Sequence, residues 1–371
     1  MLADGRGVSA SFLPNGNVRQ APVIPQILPS NKIISDEVYQ YFDVIINSWI
    51  LTLISALGIV TNSLNVLVFI KQGFRDSINV SLMAITLWDF LRCLVGFLHR
   101  MYVPISLVST VFATTWKNAT FPYASYTPIF AGYVSYALTT YVSIERCLCV
   151  SRPFTVKLLF TPLFTFAMVT TISAVVFGSY AVMYFIYDVA FVFNARLNDT
   201  TAVYQYNSFY YKNQNLVMVY YKYVGILLPF GSFFILCVSS ATTVYFLKKS
   251  STFLKQEKRD LNVSMTSTKR ASGISQREKQ VVKMLLVVIL VSIGTLLPRL
   301  VFYIAQLLEP ELYLLRRYNN EFYVVAMWLF ALDFVNASIN LFIFLAMSSN
   351  YKSTFSSIFH HRDKKPRTIL L

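Results

Sequence analysis

Residues 49–70 read WILTLISALGIVTNSLNVLVFI, a run without one charged side chain. A helix rises ~1.5 Å per residue, so about 20 such residues cross the ~30 Å hydrocarbon core of a bilayer. Three further runs are alike: 164–186, 281–297 with only Lys283 as an interruption, and 324–347 around Asp333. Outward from these, apolar stretches broken by polar turns place seven spans near 42–71, 78–104, 123–150, 160–187, 216–248, 277–307 and 321–347. The expected fold is an all-α membrane protein, a seven-transmembrane helix bundle over 42–348 with a tail at 1–41 and a basic end at 349–371. Residues 348–359 carry Tyr351, Phe355, Ile358 and Phe359 among polar and basic neighbours, the spacing of a short amphipathic eighth helix; a frayed tail is the competing reading.

Composition agrees. Of 371 residues, 56% are hydrophobic and 13% charged, which is more apolar than a soluble domain tolerates. The net charge of +15 then reads as basic loops against anionic lipid, not as nucleic-acid binding. The connector 248–276 holds Lys248, Lys249, Lys255, Lys258, Arg259, Lys269 and Arg270 against Glu257 and Asp260, and Lys352, Arg362, Lys364, Lys365 and Arg367 follow the last span. The positive-inside rule turns this side to the cytoplasm, and seven spans then leave the amino terminus outside the plasma membrane. The first thirty residues hold no compact apolar stretch, so the first span is expected to be its own insertion signal.

Cys93, Cys147, Cys149 and Cys237 all fall within spans or at their cytoplasmic ends, so no extracellular disulfide is expected. The sequons at Asn118 and Asn198 lie in outer loops and are candidate glycosylation sites. There is no Gly-rich phosphate loop, metal-ligand cluster or nucleophile motif to suggest an enzyme, and no repeat between halves to suggest a transporter.

Polar groups inside lipid demand an explanation, since an ionisable side chain costs roughly 2.5–3.5 kcal/mol there. Asn62, Asp89, Ser135, Asn336 and Asn340 converge at mid-span. A carboxylate ringed by amide and hydroxyl oxygens suits a sodium ion at Asp89, Ser135, Asn336 and Asn340, the one cofactor expected; a bound proton or interhelical hydrogen bonding are the other readings. At the basic end of the third span stand Glu145 and Arg146, with Glu278 opening the sixth. Such a set forms a polar clasp whose opening separates helix ends.

Together these residues resemble the rhodopsin-like G-protein-coupled receptors over roughly 42–360: Gly58 and Asn62, Asp89, Glu145-Arg146-Cys147, Pro229, Pro298, and Asn340-Leu341-Phe342-Ile343-Phe344 in the seventh span. Lys71 to Ser77, Glu145 to Val150 and Ala346 to Tyr351 further resemble molluscan chemosensory and invertebrate peptide receptors. The resemblance implies an external ligand site among the spans, a movement of the sixth helix, and a heterotrimeric G protein at the opened cytoplasmic face, with activation running through Pro298, Asn340 and Phe344. Ser348, Ser349, Ser353, Thr354, Ser356, Ser357 and the Ser/Thr-rich loop 264–272 are candidate phosphorylation sites, with a receptor kinase and arrestin as partners; merely polar linkers are the competing reading. Departures are plain. Leu296, Cys237 and Phe344 replace the family's toggle tryptophan and two activation tyrosines, and Phe121 replaces the cysteine that staples the second outer loop, so residues 188–215 are expected to be mobile. A photoreceptor is disfavoured because 321–347 contains no lysine, Phe334 standing in its place, and Pro128 stands where amine receptors carry aspartate. Arg100, Lys222 and Arg299 lie in the outer halves of their spans against a single acid, Asp333, which points to an odorant or peptide ligand with an anionic group.

Overall fold

Ser35 Oγ accepts the Val38 amide at 3.3 Å, and Asp36 and Glu37 fill the turn that follows, satisfying free N–H groups and complementing the helix dipole. In the computed structural model, which describes residues 33–152, 159–261, 276–313 and 316–359, that turn starts a helix running from Asp36 to Gln72, earlier than the expected 42. Its residues Asp43–Ile50 are π-helical. Gly73 ends it at φ 76°, a conformation open to glycine, with its N–H on the Phe69 and Ile70 carbonyls.

Among the described residues, six helical segments are long and apolar enough to cross a membrane: Asp36–Gln72, Ser77–Ser106, Pro162–Ser179, Ser208–Lys249, Gln280–Leu308 and Asn319–Met347. The remaining span, Thr127–Ser151, is more polar, and its position explains why. It packs against the second, fourth, fifth and sixth spans and buries residues all around its circumference, so protein rather than lipid is its solvent. Its hydroxyls bond back along the helix, Thr139 to the Ser135 carbonyl and Thr140 to that of Tyr136, both at 2.8 Å. At the other extreme, the fourth span lies on the periphery and buries only Thr165, Val169 and Val176. Trp88 Nε1 ties it to the second span through Ser173 Oγ at 3.0 Å.

Two long helices overrun their expected ends. The fifth continues from Ser208 to Leu261, so half of the expected connector is helix, and the sixth spans Gln276–Leu308 with Pro298 inside. Residues 262–275, including the whole serine-rich loop 264–272, lie outside the described residues, as do the side chains at 250–261 and 276–279. After the seventh span, Ser349–Phe359 forms the expected surface helix: Tyr351 is buried, Phe355 and Ile358 pack on the core, and Lys71 Nζ caps it on the Ser357 carbonyl at 2.9 Å.

The segment expected as the second outer loop adds a two-stranded hairpin to the helical bundle, and residues 188–215 are mostly strand and helix rather than a loose connection. β1 (Tyr187–Asn194) and β2 (Asp199–Tyr206) pair antiparallel in the register Tyr187↔Tyr206 to Asn194↔Asp199, and the fifth helix begins directly after Asn207. Asn198 turns the hairpin at φ 49°, the left-handed region that asparagine tolerates. The hairpin rests on a helix, Thr110–Ala124, that precedes the third span. Asn118 Nδ2 donates to the Ala202 carbonyl at 2.8 Å, the Ala202 amide reaches Thr115 Oγ1 at 3.4 Å, and Phe121 stacks on Tyr204. All four cysteines are free thiols. The polypeptide before the first span is anchored as well: Glu321 Oε1 accepts the Ile33 and Ile34 amides at 2.8 and 2.9 Å.

Candidate functional site

At mid-bundle, Asp89 on the second span accepts Ser135 Oγ of the third at 2.6 Å and Asn340 Nδ2 of the seventh at 3.2 Å. Asn62 Nδ2 donates to the Gly58 and Ala337 carbonyls, both at 2.9 Å, and so pins the first span to the seventh. Gly58 permits that approach, because a Cβ there would stand 2.7 Å from Ser338 Oγ of the seventh span, and 2.3 Å from Cys93 Sγ of the second. Asn336 is buried one turn from Asn340 but is not hydrogen-bonded to Asp89.

One helical turn above Asp89 lies Arg92, a residue that the sequence reading passed over although three residues of spacing put both on one helix face. It is wholly buried. Its Nη1 donates to the Asp333 carbonyl at 2.8 Å, and its guanidinium lies 5.7 Å from the centre of the Tyr136 ring. Nε and Nη2 have no hydrogen-bond partner among the described residues. The Arg92 charge interacts electrostatically with both Asp89 and Asp333.

This cation decides against the expected sodium ion. Asp89 already receives two hydrogen bonds, and Asn340 presents it with a donor rather than an oxygen ligand. A further unit charge one turn from Arg92, at ~5 Å, would meet a repulsion of about 3 kcal/mol at an effective dielectric of about 20. Asp89, Ser135, Asn336 and Asn340 therefore do not fit a bound sodium ion while Arg92 is in place.

Towards the amino-terminal side, Arg299 forms a buried ion pair with Asp333 Oδ2, joining the sixth span to the seventh directly after Pro298. Tyr136 Oη donates to the other Asp333 oxygen at 3.2 Å. Around the pair stands a ladder of aromatic rings. Tyr133 of the third span is hydrogen-bonded to Tyr303 of the sixth and packs on Tyr180, which stacks on Phe130 at 4.4 Å. The ladder continues through Tyr126, whose hydroxyl meets that of Tyr187 at 2.9 Å, to stacked Tyr206 and Tyr210. Periodicity could not reveal this set, because its members come from separate elements.

The other expected ligand residues are elsewhere. Arg100 is turned to the first span, with Nε on the Asn47 carbonyl and Nη2 on Asn47 Oδ1, both at 3.0 Å, and Nη1 on the Gly96 carbonyl at 2.8 Å. Asn47 belongs to the π-helical stretch, so this irregularity serves a helix-to-helix lock. Lys222 is exposed on the outside of the fifth span beside Tyr223, the position of a chain that snorkels along lipid. Of the four, only Arg299 and Asp333 come together.

On the basic side, Arg146 pairs with Glu145, whose Oε1 also accepts Ser77 Oγ at 2.7 Å. The third span is thereby held to the start of the second, a partner the sequence did not reveal; the side chain of Glu278 lies outside the described residues. Ser143 and Ser239 join the third and fifth spans through their hydroxyls. Phe344 packs on Phe69 and Tyr351 with ring centres 5.7 and 5.4 Å apart, and Tyr351 Oη donates to Asn65 Oδ1 at 2.5 Å. The phenol that Phe344 lacks thus enters the same cluster from the surface helix.

Of the two sequons, Asn198 is exposed at the hairpin turn, whereas Asn118 is half-buried with its amide donating to the Ala202 carbonyl.

No curated protein matches the chain. The sequence profile of the family described as 7 transmembrane receptor (rhodopsin family) matches residues 61–348, which contain the buried acid, the arginine at the end of the third span and the last asparagine of the seventh. A bundle of seven spans around a polar central helix, matched over most of its length by that profile, belongs to the rhodopsin family of seven-transmembrane receptors.

Proposed function

We propose that the receptor senses an extracellular chemical, an odorant or peptide with an anionic group, and activates a heterotrimeric G protein from the plasma membrane. In this reading the amino terminus and the hairpin lie outside, the tail over 1–41 is extracellular, and the helix and tail over 349–371 are cytoplasmic. The observation that carries it is the Arg299–Asp333 pair beneath the tyrosine ladder. A ligand carboxylate or sulfate that takes Arg299 from Asp333 releases the sixth span from the seventh, and its contact differs between the two arrangements, as a switch requires. In the Tyr133–Tyr303 phenol pair, the hydroxyl that accepts keeps its own O–H as a further donor. Opening Glu145 and Arg146 then frees the basic side for the G protein. Exposed Ser349, Ser353, Ser356 and Ser357 offer a receptor kinase and arrestin their sites.

A screen of acidic odorants, amino acids and short peptides on cells expressing the receptor, with calcium and cyclic-nucleotide readouts, tests this reading. Arg299→Ala is expected to lose at least roughly tenfold in potency, since a charge-assisted bond is worth about 1.5–3 kcal/mol. A neutral or cationic agonist indifferent to that change would overturn the ligand class.

A further inference from the structure

We propose that Arg92 is a built-in cation that stands where a sodium ion would otherwise be held near Asp89, so that the resting bundle is stabilised by its own chain and is indifferent to sodium. The arginine has a dedicated seat. A Cβ on Gly132 would lie 2.1 Å from Arg92 Nη2, so a side chain at 132 would push the guanidinium out of this position. That seat is wholly buried, and a buried charge persists only where opposite charge is at hand.

Here the charges balance. Asp89 and Asp333 face Arg92 and Arg299, two carboxylates against two guanidiniums, all buried. Arg299 pairs with Asp333, and Arg92 interacts with both acids while it holds the Asp333 carbonyl. Arg100 does not enter this sum, being locked to Asn47 and Gly96. An added cation would unbalance the cluster, and removal of Arg92 would leave Asp89 with two neutral donors, Ser135 and Asn340, and no cation. A neutral side chain at 92 should therefore create the sodium dependence that the natural receptor lacks. This inference is independent of the ligand.

The sodium ion itself is the probe. Full-length receptor, purified in nanodiscs, is unfolded thermally in sodium chloride and in N-methylglucamine chloride of equal ionic strength. The unaltered receptor is expected to show the same Tm in both. Arg92→Gln is expected to be several degrees more stable in sodium, and Asp89→Asn added to it should erase that difference. A sodium-specific rise in the unaltered receptor that Asp89→Asn removes would overturn the proposal, and so would a folded Arg92→Gln indifferent to the cation. Should Arg92→Gln alone not fold, Asp89→Asn/Arg92→Gln is expected to restore surface expression by rebalancing charge; no rescue would equally overturn it.

Discussion

Phe121 and Tyr204 stack face to face, with ring centres 4.3 Å apart and planes 16° from parallel. The family resemblance puts a disulfide cysteine at Phe121; here an aromatic contact, with the Asn118 and Thr115 bonds beside it, fastens the hairpin instead. Such a stack contributes about 0.5–1.5 kcal/mol beyond its buried area. Phe121→Ala is therefore expected to raise amide exchange across β1 and β2 while leaving the seven spans protected, as hydrogen-exchange mass spectrometry would register. Unchanged protection would mean that the backbone bonds suffice.

The Arg299–Asp333 pair should be costly to halve. Asp333→Asn leaves a buried guanidinium without its counter-ion and weakens the acceptor of Tyr136, a loss of about 3–5 kcal/mol for breaking a buried pair. Surface expression and Tm are expected to fall sharply. Arg299→Gln/Asp333→Asn, with Tyr136 retained, should recover part of the loss, and an absence of coupling between the two sites in a double-mutant cycle would contradict the pairing.

At the basic end, Glu145→Gln removes the charge that holds Arg146 and weakens the acceptor of Ser77. We expect about 1 kcal/mol, roughly a fivefold gain in ligand-free signalling at matched surface expression. Ser77→Ala should move in the same direction by less. Basal signalling equal to that of the unaltered receptor in Glu145→Gln would count against the clasp.

Glycosylation distinguishes the two sequons. Asn198→Gln is expected to abolish the mobility shift on treatment with peptide N-glycosidase, whereas Asn118→Gln should leave it intact. A shift that survives Asn198→Gln and disappears with Asn118→Gln would reverse the assignment and would require the hairpin to lift from its helix.

Much of the architecture was legible before any coordinates, because crossing a bilayer is a local demand on the chain. The run 49–70 and its fellows satisfy it residue by residue, and the basic connector with its flanking spans made the seven-helix count and the buried acid at Asp89 readable from order alone. Arg92 was legible in principle, since it shares a helix face with Asp89.

What the sequence by itself determined is the membrane class, the span count, the surface helix and the candidate residues Asp89, Arg146, Arg299 and Asp333. Tertiary structure alone decided their partners: that Arg299 meets Asp333 while Arg100 turns to Asn47, that Glu145 holds Ser77, and that Gly132 seats Arg92. It also decided that residues 187–206 form a hairpin fastened by Phe121. Hydropathy sums over neighbouring residues and so survives without a fold. A buried charge is settled by whichever helix packs against it, and that neighbour can lie more than two hundred positions along the chain, as Asp333 does from Arg92.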